Sequence, residues 1–546
     1  MKKPFLIFLF TVSVAFCVTA QTQNNFEISK NLDIYASLLR ELNLNYVDEI
    51  DPSSLNKTAI ETMLNGLDPY TVFIPESQVE DFQLMTTGEY GGIGSLIQQI
   101  GDYVVITEPY EGYPAQKSGL IAGDQLMEIN GISMKGKNSQ EVSDLLKGQP
   151  GTPIDITYGR EGAAAPVKMT LTREKIKIDN IPYQTVFDNK IGYIRLSGFT
   201  QKAASEMKNV FLDMKSKYTL TGLIIDLRGN GGGLLNEAVD ITNLVVNKGE
   251  LVVTTRGKSA DRTTVHRTRM LPVDTDIPLV VLVNENSASA SEILAGALQD
   301  FDRAVIVGQR TYGKGLVQNV VPLVYNTQLK ITVAKYYIPS GRCIQAIDYS
   351  DNKDNVNGSR IADSLISSFK TRHGRIVYDG GGITPDVILE PYQYSAVSSN
   401  LYTSNLIFRF ANNYAAMHKS IAPADVFSIS DSTYQAFVNF AESNNFSYQT
   451  ESEEIIQALR EIAENEKYLD AVEPKISELE KGLIEYKKQD IYKHRSEIEE
   501  MLKIEIVSRY YYQTGKIVAS LKNDPELKKA IGVLNDQPVY KKLLTP

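Results

Sequence analysis

Tryptophan is absent from this chain of 546 residues, and cysteine and histidine are scarce. Of the two cysteines, Cys17 lies in the first twenty residues, whose expected removal leaves Cys343 alone and allows no internal disulfide. The four histidines, His266, His373, His418 and His494, are isolated from one another and from cysteine. No metal-spaced His/Cys cluster results, and neither a metal nor an organic cofactor is implied. Positive charge is also short. Lys and Arg number 56 against 66 Asp and Glu, a net charge of −10, which disfavours nucleic acid and anionic membrane surfaces as partners. Long apolar runs are missing too: after the first twenty residues no stretch is long and apolar enough to span a bilayer. What remains is ordinary for globular protein, with 42% apolar and 22% charged residues. The length predicts about three or four domains.

The N-terminus follows the plan of a secretory signal peptide. Lys2 and Lys3 precede an apolar run, Phe5 to Val18, and then Val18-Thr19-Ala20 and Gln21. The run is too short for a spanning helix, and Phe16 beside Cys17 makes a poor lipoprotein site. Cleavage is expected after Ala20, giving an exported, periplasmic protein that is not integral to the membrane and retains only Cys343.

The most informative stretch runs from Asn284 to Gln318. A buried-strand run, Leu279 to Val283, enters it, and a helix pattern of Ile293, Leu294, Ala297, Leu298 and Phe301 leaves it. Between them Ser287, Ser289 and Ser291 alternate with alanines. A serine on a tight strand-to-helix turn lies over free backbone N–H groups, where negative charge is favoured. An acyl-transfer oxyanion needs that environment. A serine hydroxyl also needs a base. No histidine has a motif-like setting, whereas Lys314 sits between Gly313 and Gly315 beside apolar Leu316 and Val317. Burial there would favour the neutral amine. Gln318, four residues on, would share a face with Lys314 in an extended strand and could hold it by hydrogen bonding. The blander reading is that Ser289-x-x-Glu292 is only a capping box and Lys314 a turn lysine.

The Ser-Ala-Ser-Ala-Ser-Glu turn, the Gly-Ala-Leu-Gln-Asp helix and the Thr-Tyr-Gly-Lys-Gly-Leu-Val-Gln strand resemble, in that order, the active-site region of the C-terminal processing peptidases. The resemblance implies Ser289 as nucleophile, Lys314 as general base and Gln318 as its support. Upstream, the strand Leu220 to Leu227 runs into Arg228-Gly229-Asn230-Gly231-Gly232-Gly233. This loop lacks the spacing of phosphate-binding loops and resembles the family's oxyanion loop. It implies Gly233 and Ala290 as the two oxyanion N–H donors. Asp226 and Arg228, at the root of the loop, read as bracing it rather than reacting.

A second resemblance covers residues 84–175. Tyr90-Gly91-Gly92-Ile93-Gly94, the strand Tyr103 to Thr107, Pro114 to Leu120, Gly123-Asp124-Gln125-Leu126, the Glu128-Ile129-Asn130-Gly131 turn, a helix Ser139 to Leu146 and a closing strand Ile154 to Tyr158 together resemble a PDZ domain. Consecutive N–H groups of Gly91, Gly92, Ile93 and Gly94 can form a nest for a terminal carboxylate, and the following strand offers an edge for a peptide to join.

Elsewhere, residues 26–47 predict an amphipathic helix with Ile28, Leu32, Tyr35, Leu38, Leu39 and Leu42 on one stripe. A second helix is expected near Thr58 to Leu64. Residues 250–270 read as a basic hairpin or a substrate-channel wall, and 348–360 as a polar loop. Residues 450–531 read as charged helices with Ile476, Leu479, Leu483 and Ile484 on a stripe and a break or start at Pro474.

The expected fold is multidomain α/β. A mixed β-sheet and helix protease core with crotonase-like ββα units carries an inserted PDZ domain and helical N- and C-terminal regions. The boundaries are 1–20 signal peptide, 21–83 N-terminal helical region, 84–175 PDZ domain, 176–394 core and 395–546 C-terminal helical region. The expected function is a serine endopeptidase that uses a Ser-Lys dyad to cleave exported proteins near their C-termini. Its partners would be protein or peptide substrates with free C-termini, and a homodimer or adaptor contact through the helical ends stays open. Two other classes compete: a non-catalytic PDZ adaptor that scaffolds envelope proteins, and an acyl-CoA-processing enzyme sharing the strand-helix core.

Overall fold

The computed structural model describes residues 4–188, 190–349 and 358–546, with side chains from residue 25 onward except at positions 80, 81, 83 and 85. The side chains around the cleavage point expected after Ala20, and residues 350–357 of the polar loop, lie outside the described residues. No helix among the described residues is long and apolar enough to cross a membrane.

The chain forms two compact units. Among the described residues, the first comprises 4–74, 320–332, 349 and 358. Its helix Pro4–Asn45 is followed by Pro52–Asn65, which Asp51 caps by accepting from the Ser53 N–H at 2.9 Å. The expected stripe is only partly covered within this unit. Tyr35, Leu39 and Leu42 are half-buried, and the Tyr35 hydroxyl donates to Asn56, but Ile28, Leu32 and Leu38 stay exposed. Strand Val72–Ile74 pairs antiparallel with residues 328–330.

The second unit holds residues 75–319, 333–348 and 359–546. Its centre is a six-stranded sheet in the order Tyr183–Phe187, Ile191–Arg195, Gly222–Asp226, Leu279–Val283, Val305–Gly308 and Val387–Ile388. The first pair is antiparallel and the others parallel. Leu279–Val283 is apolar at every position because both faces are covered. Leu279, Val281 and Val283 face one layer, formed by the helices Ala203–Lys217, Leu235–Thr242 and Ala290–Asp300. Val280 and Leu282 point the other way, onto Leu527, Ala530, Val533, Leu534 and Tyr540 from the end of the chain. Fully burying one such side chain is worth about 1.5–3 kcal/mol. The helices Pro525–Asn535 and Gln537–Leu543 are therefore the second layer of the core, although the composition of the tail separates them from it.

The PDZ-like region forms its own sheet, Ser95–Ile100, Tyr103–Pro109, Gln125–Ile129, Pro153–Gly159 and Val167–Thr172, around buried Ile106, Leu126, Ile129 and Ile154. Ser95–Ile100 is an edge strand, as the peptide-joining reading requires. The strand expected to close this sheet does not close it. Val167–Thr172 pairs outside it, and its alternating polar residues hide it from an apolar scan.

Residues 251–257 and 263–267 form the expected hairpin. In the tail, Pro474 neither breaks nor starts a helix. It lies inside Leu469–Lys493, close enough to the N-terminus for few backbone bonds to be lost. The expected stripe also differs. Ile476 is buried at 4% exposure, whereas Leu479 and Ile484 are exposed, since the packing face of this helix is narrow.

Candidate active site

Three serines compete in the turn between Leu279–Val283 and Ala290–Asp300, and their surroundings separate them. Ser287 is buried, and its hydroxyl donates to the Leu227 carbonyl at 2.8 Å. Ser291 is buried, and its hydroxyl donates to the Asn230 carbonyl at 2.9 Å. The half-buried Ser289 hydroxyl donates to no such carbonyl among the described residues. Ser289 stands at φ +57° and ψ −111°, a backbone that a residue with a Cβ rarely adopts.

Two groups hold it there, and both also hold Lys314. The Glu292 carboxylate accepts from the Ser289 N–H at 2.8 Å and from the Lys314 N–H at 2.9 Å, through the same oxygen. Its other oxygen accepts from the Thr311 hydroxyl at 2.6 Å and the Gly313 N–H at 2.7 Å. On the carbonyl side the Tyr336 hydroxyl lies 2.6 Å from the Lys314 oxygen and 3.2 Å from the Ser289 oxygen. The backbones of Ser289 and Lys314 are thus neighbours fixed by shared partners. Glu292 is fully buried without a cation among its four donors, and burial pushes its carboxyl up to about 7, against the pull of those donors. The capping box read from the sequence contains Glu292 but gives no hint of its reach to Lys314. Tyr336 carries no sequence signal.

The glycine loop lies against the serine turn. A Cβ on Gly232 would sit 2.6 Å from the Ala288 oxygen, and 2.9 Å from both the Ala290 nitrogen and the Ser289 Cβ. Asn230 ties the two segments together. It donates to the Leu196 oxygen, accepts from the Gly232 N–H on its side-chain oxygen, and accepts from the Ala288 N–H on its carbonyl. The N–H groups of Gly233 and Ala290 donate to nothing among the described residues. Helix Ala290–Asp300 begins at Ala290, so its N-terminal N–H groups point at the turn.

Asp226 and Arg228 stand at the root of this loop. Arg228 Nε and an Nη donate to the two oxygens of Asp226 at 2.9 and 2.6 Å. Asp226 is fully buried, yet Arg228, then Arg195 and the Tyr193 hydroxyl, hold its carboxyl below the usual range. Arg228 also meets Asp524 and Glu526 from the end of the chain, both at 2.7 Å.

Gln318 lies in the strand Leu316–Pro322 and lines a cleft of about 670 Å³ with Leu234, Leu235, Val317, Val333 and His266. Arg262 and Thr264 of the hairpin are in its wall. Burial and then Arg269 lower the pKa of His266.

Of the four residues proposed as a carboxylate nest, Gly91 and Gly92 lie in a short strand, Glu89–Gly92, opposite Lys175 and Glu174. Ile93 is buried, and its carbonyl accepts from Ala115, while the Gly94 carbonyl accepts from Tyr110. Gly148, just past the helix Ser139–Leu146, donates to the Gly91 oxygen at 3.1 Å.

Residues 190–352 match the family model "Peptidase family S41", residues 105–160 a PDZ domain, and residues 397–534 "Probable PDZ-protease, C-terminal helical domain". The chain is 36% identical over 344 residues to a carboxy-terminal-processing protease of Bartonella bacilliformis, covering 62% of this chain and 79% of that protein. It is 34% identical over 316 residues to a probable CtpA-like serine protease of Staphylococcus aureus, covering 58% of this chain and 62% of that one. Among solved structures it is similar to a photosystem II D1 C-terminal processing protease, with 30% identity and a TM-score of 0.37 over 65% of this chain and 86% of the other. It is also similar to the PDZ domain of a carboxy-terminal protease from Vibrio cholerae solved with a peptide, with 28% identity and a TM-score of 0.16 over 16% and 99% of the two chains.

Proposed function

The chain belongs to peptidase family S41, the carboxy-terminal-processing serine proteases with a PDZ domain, and on that premise we propose that Ser289 and Lys314 are its catalytic dyad. The observation that carries this reading is the division of labour in the turn. Ser287 and Ser291 are spent on backbone carbonyls, while Ser289 shares Glu292 and Tyr336 with Lys314.

In this mechanism the neutral Lys314 amine takes the proton from the Ser289 Oγ as that oxygen attacks a peptide carbonyl. The carbonyl π electrons move onto its oxygen, which the N–H groups of Gly233 and Ala290 stabilise, each donor worth a few kcal/mol. Lys314 then gives the proton to the leaving amine as the C–N bond breaks, and water hydrolyses the ester by the same route. In the same reading Gln318, a residue of the cleft wall, is the hydrogen-bonding support of Lys314.

The PDZ domain supplies substrate choice in this reading. A chain terminus joins the free edge of Ser95–Ile100, its carboxylate near Gly91 to Gly94, and the upstream segment passes to Ser289. The leader-like N-terminus makes the substrates exported proteins and the compartment periplasmic.

The test is cleavage of an unfolded protein ending in small apolar residues, with either a free or an amidated C-terminus. Cleavage of the free form in preference, lost in Ser289→Ala, is expected. A variant as active as wild type sinks the nucleophile assignment. Equal rates on both substrates sink the tail recognition. Binding of the free terminus without cleavage would turn the reading to a PDZ adaptor.

A further inference from the structure

Helix Pro525–Asn535 and its N-cap Asp524 present two carboxylates to the root of the glycine loop, near the end of the sequence and far in the chain from the loop itself. Arg228 receives Asp226 on one side and the tail on the other. One Nη lies 2.7 Å from a Glu526 oxygen, and the second lies 2.7 Å from an Asp524 oxygen. All four side chains are largely withdrawn from water, at 14% exposure for Arg228, 0% for Asp226, 11% for Asp524 and 17% for Glu526. Such pairs are screened little and are geometrically demanding.

Each tail carboxylate is itself held. Asp524 caps its own helix by accepting from the Glu526 and Leu527 N–H groups at 2.9 and 3.0 Å. The second Glu526 oxygen accepts from Gln309 Nε2 at 2.5 Å, and Gln309 follows the strand Val305–Gly308. The helix behind them is seated on the sheet by Leu527, Ala530, Val533 and Leu534. A rigid element therefore fixes the guanidinium.

The next residues carry that fixation to the serine. Gly229 donates to the Asn284 side chain at 2.9 Å, Asn230 is bonded to Leu196 and Ala288, and Gly232 lies so near Ser289 that an added Cβ would be 2.9 Å from the Ser289 Cβ. Loops that aim backbone donors at a developing charge work only when preorganised, and a misplacement of about 1 Å can cost about a hundredfold in rate.

We propose that the C-terminal helix Pro525–Asn535 is a positioning element of the active site: Asp524 and Glu526 hold Arg228, and through it hold Gly229 to Gly233 against Ser289. This inference rests on the reading of Gly233 as an oxyanion donor. It assigns the end of the chain a part in turnover beyond its packing on the sheet. Asp524 and Glu526 are positioning residues, since they act through Arg228.

The experiment uses the full exported chain with Asp524→Asn and Glu526→Gln combined. Asparagine keeps the helix cap and glutamine keeps the shape, so the change is one of charge. The expected result is a fall in kcat of about tenfold or more with KM unchanged and the melting temperature within a few degrees of wild type. The single Glu526→Gln should show a smaller fall of the same kind, and it carries the test if the double variant does not fold. An unchanged kcat overturns the inference. So does a loss of activity matched by an equal loss of folded protein, which would make the contact structural only. Ser289→Ala, run alongside, separates the two levels. If it is inactive while the tail variants turn over normally, only the tail inference fails. If it is active, the dyad reading fails first.

Discussion

Two glycine-rich segments of this chain look alike on paper and differ in what surrounds them. Gly229 to Gly233 is rooted in a charge cluster, Asp226, Arg228, Asp524 and Glu526, and lies on the serine turn. Gly91 to Gly94 is rooted in apolar packing and a two-stranded ladder at the rim of the PDZ domain. In the first, the missing side chains let a loop lie close to Ser289 while the Gly233 N–H donates to nothing among the described residues. In the second they let the backbone approach the end of a helix: a Cβ on Gly91 would sit 2.0 Å from the Gly148 oxygen. The lesson is that glycine content marks close approach, and only the neighbours say whether the approach serves turnover or affinity.

The comparison breaks most sharply at Gly232. Gly232→Ala adds a Cβ at 2.9 Å from the Ser289 Cβ and strains a φ of +101°. It should lower kcat by about a hundredfold or more with KM for peptides little changed, read by steady-state kinetics. A change confined to KM would dissolve the distinction between the loops.

Glu292→Gln comes next. An uncharged amide puts N–H at one of the two oxygens, where either Ser289 and Lys314 or Thr311 and Gly313 already donate, and kcat should fall about tenfold. The pH dependence has a definite sign. Burial raises the Glu292 carboxyl from 4.5 to about 7, so the folded protein keeps a proton that the unfolded chain has lost between those values. Its contribution to stability is present below the unfolded value and is lost as pH rises through about 7. Wild type should therefore lose stability relative to Glu292→Gln between pH 5 and 8, as followed by thermal melts. Parallel melting curves across that range would contradict the assignment.

Gly91→Ala should act on the other limb. KM for free-carboxylate substrates should rise about tenfold, while kcat and the cleavage of amidated substrates stay near wild type. Loss of kcat here would mean that the two loops are one machine. The smallest effect belongs to Gly101→Ala, at φ +65° with open space around the added Cβ. It should cost about 1–2 kcal/mol in stability, measured by denaturant titration, and leave both kinetic constants alone.

How much of this was legible in the sequence follows the range of each interaction. The strand Leu279–Val283 and the helix Ala290–Asp300 are written in local periodicity and the hairpin over 250–270 in its polar, basic composition, and they stand as expected. The serine turn and the glycine loop are short motifs, so the family was legible too. The tail's seat on the sheet was not. Leu527, Ala530, Val533 and Leu534 give an ordinary amphipathic helix that says nothing of its partner. Tyr336, Thr311 and Glu526 reach their partners across the fold, and no local pattern announces such contacts. Pro474 misled because a proline near a helix start is tolerated where one in mid-helix is not.

The central claim is that one serine and one lysine perform the chemistry, and turnover of a small set of variants tests it most directly. Ser289→Ala, Ser287→Ala and Lys314→Arg would be assayed on the same unfolded substrate, with melting temperatures recorded. The account predicts that Ser289→Ala and Lys314→Arg lose activity by about 10⁴-fold or more while remaining folded. Ser287→Ala should change stability more than rate, because its hydroxyl serves the Leu227 carbonyl. Turnover near wild type in folded Ser289→Ala or Lys314→Arg would contradict the account.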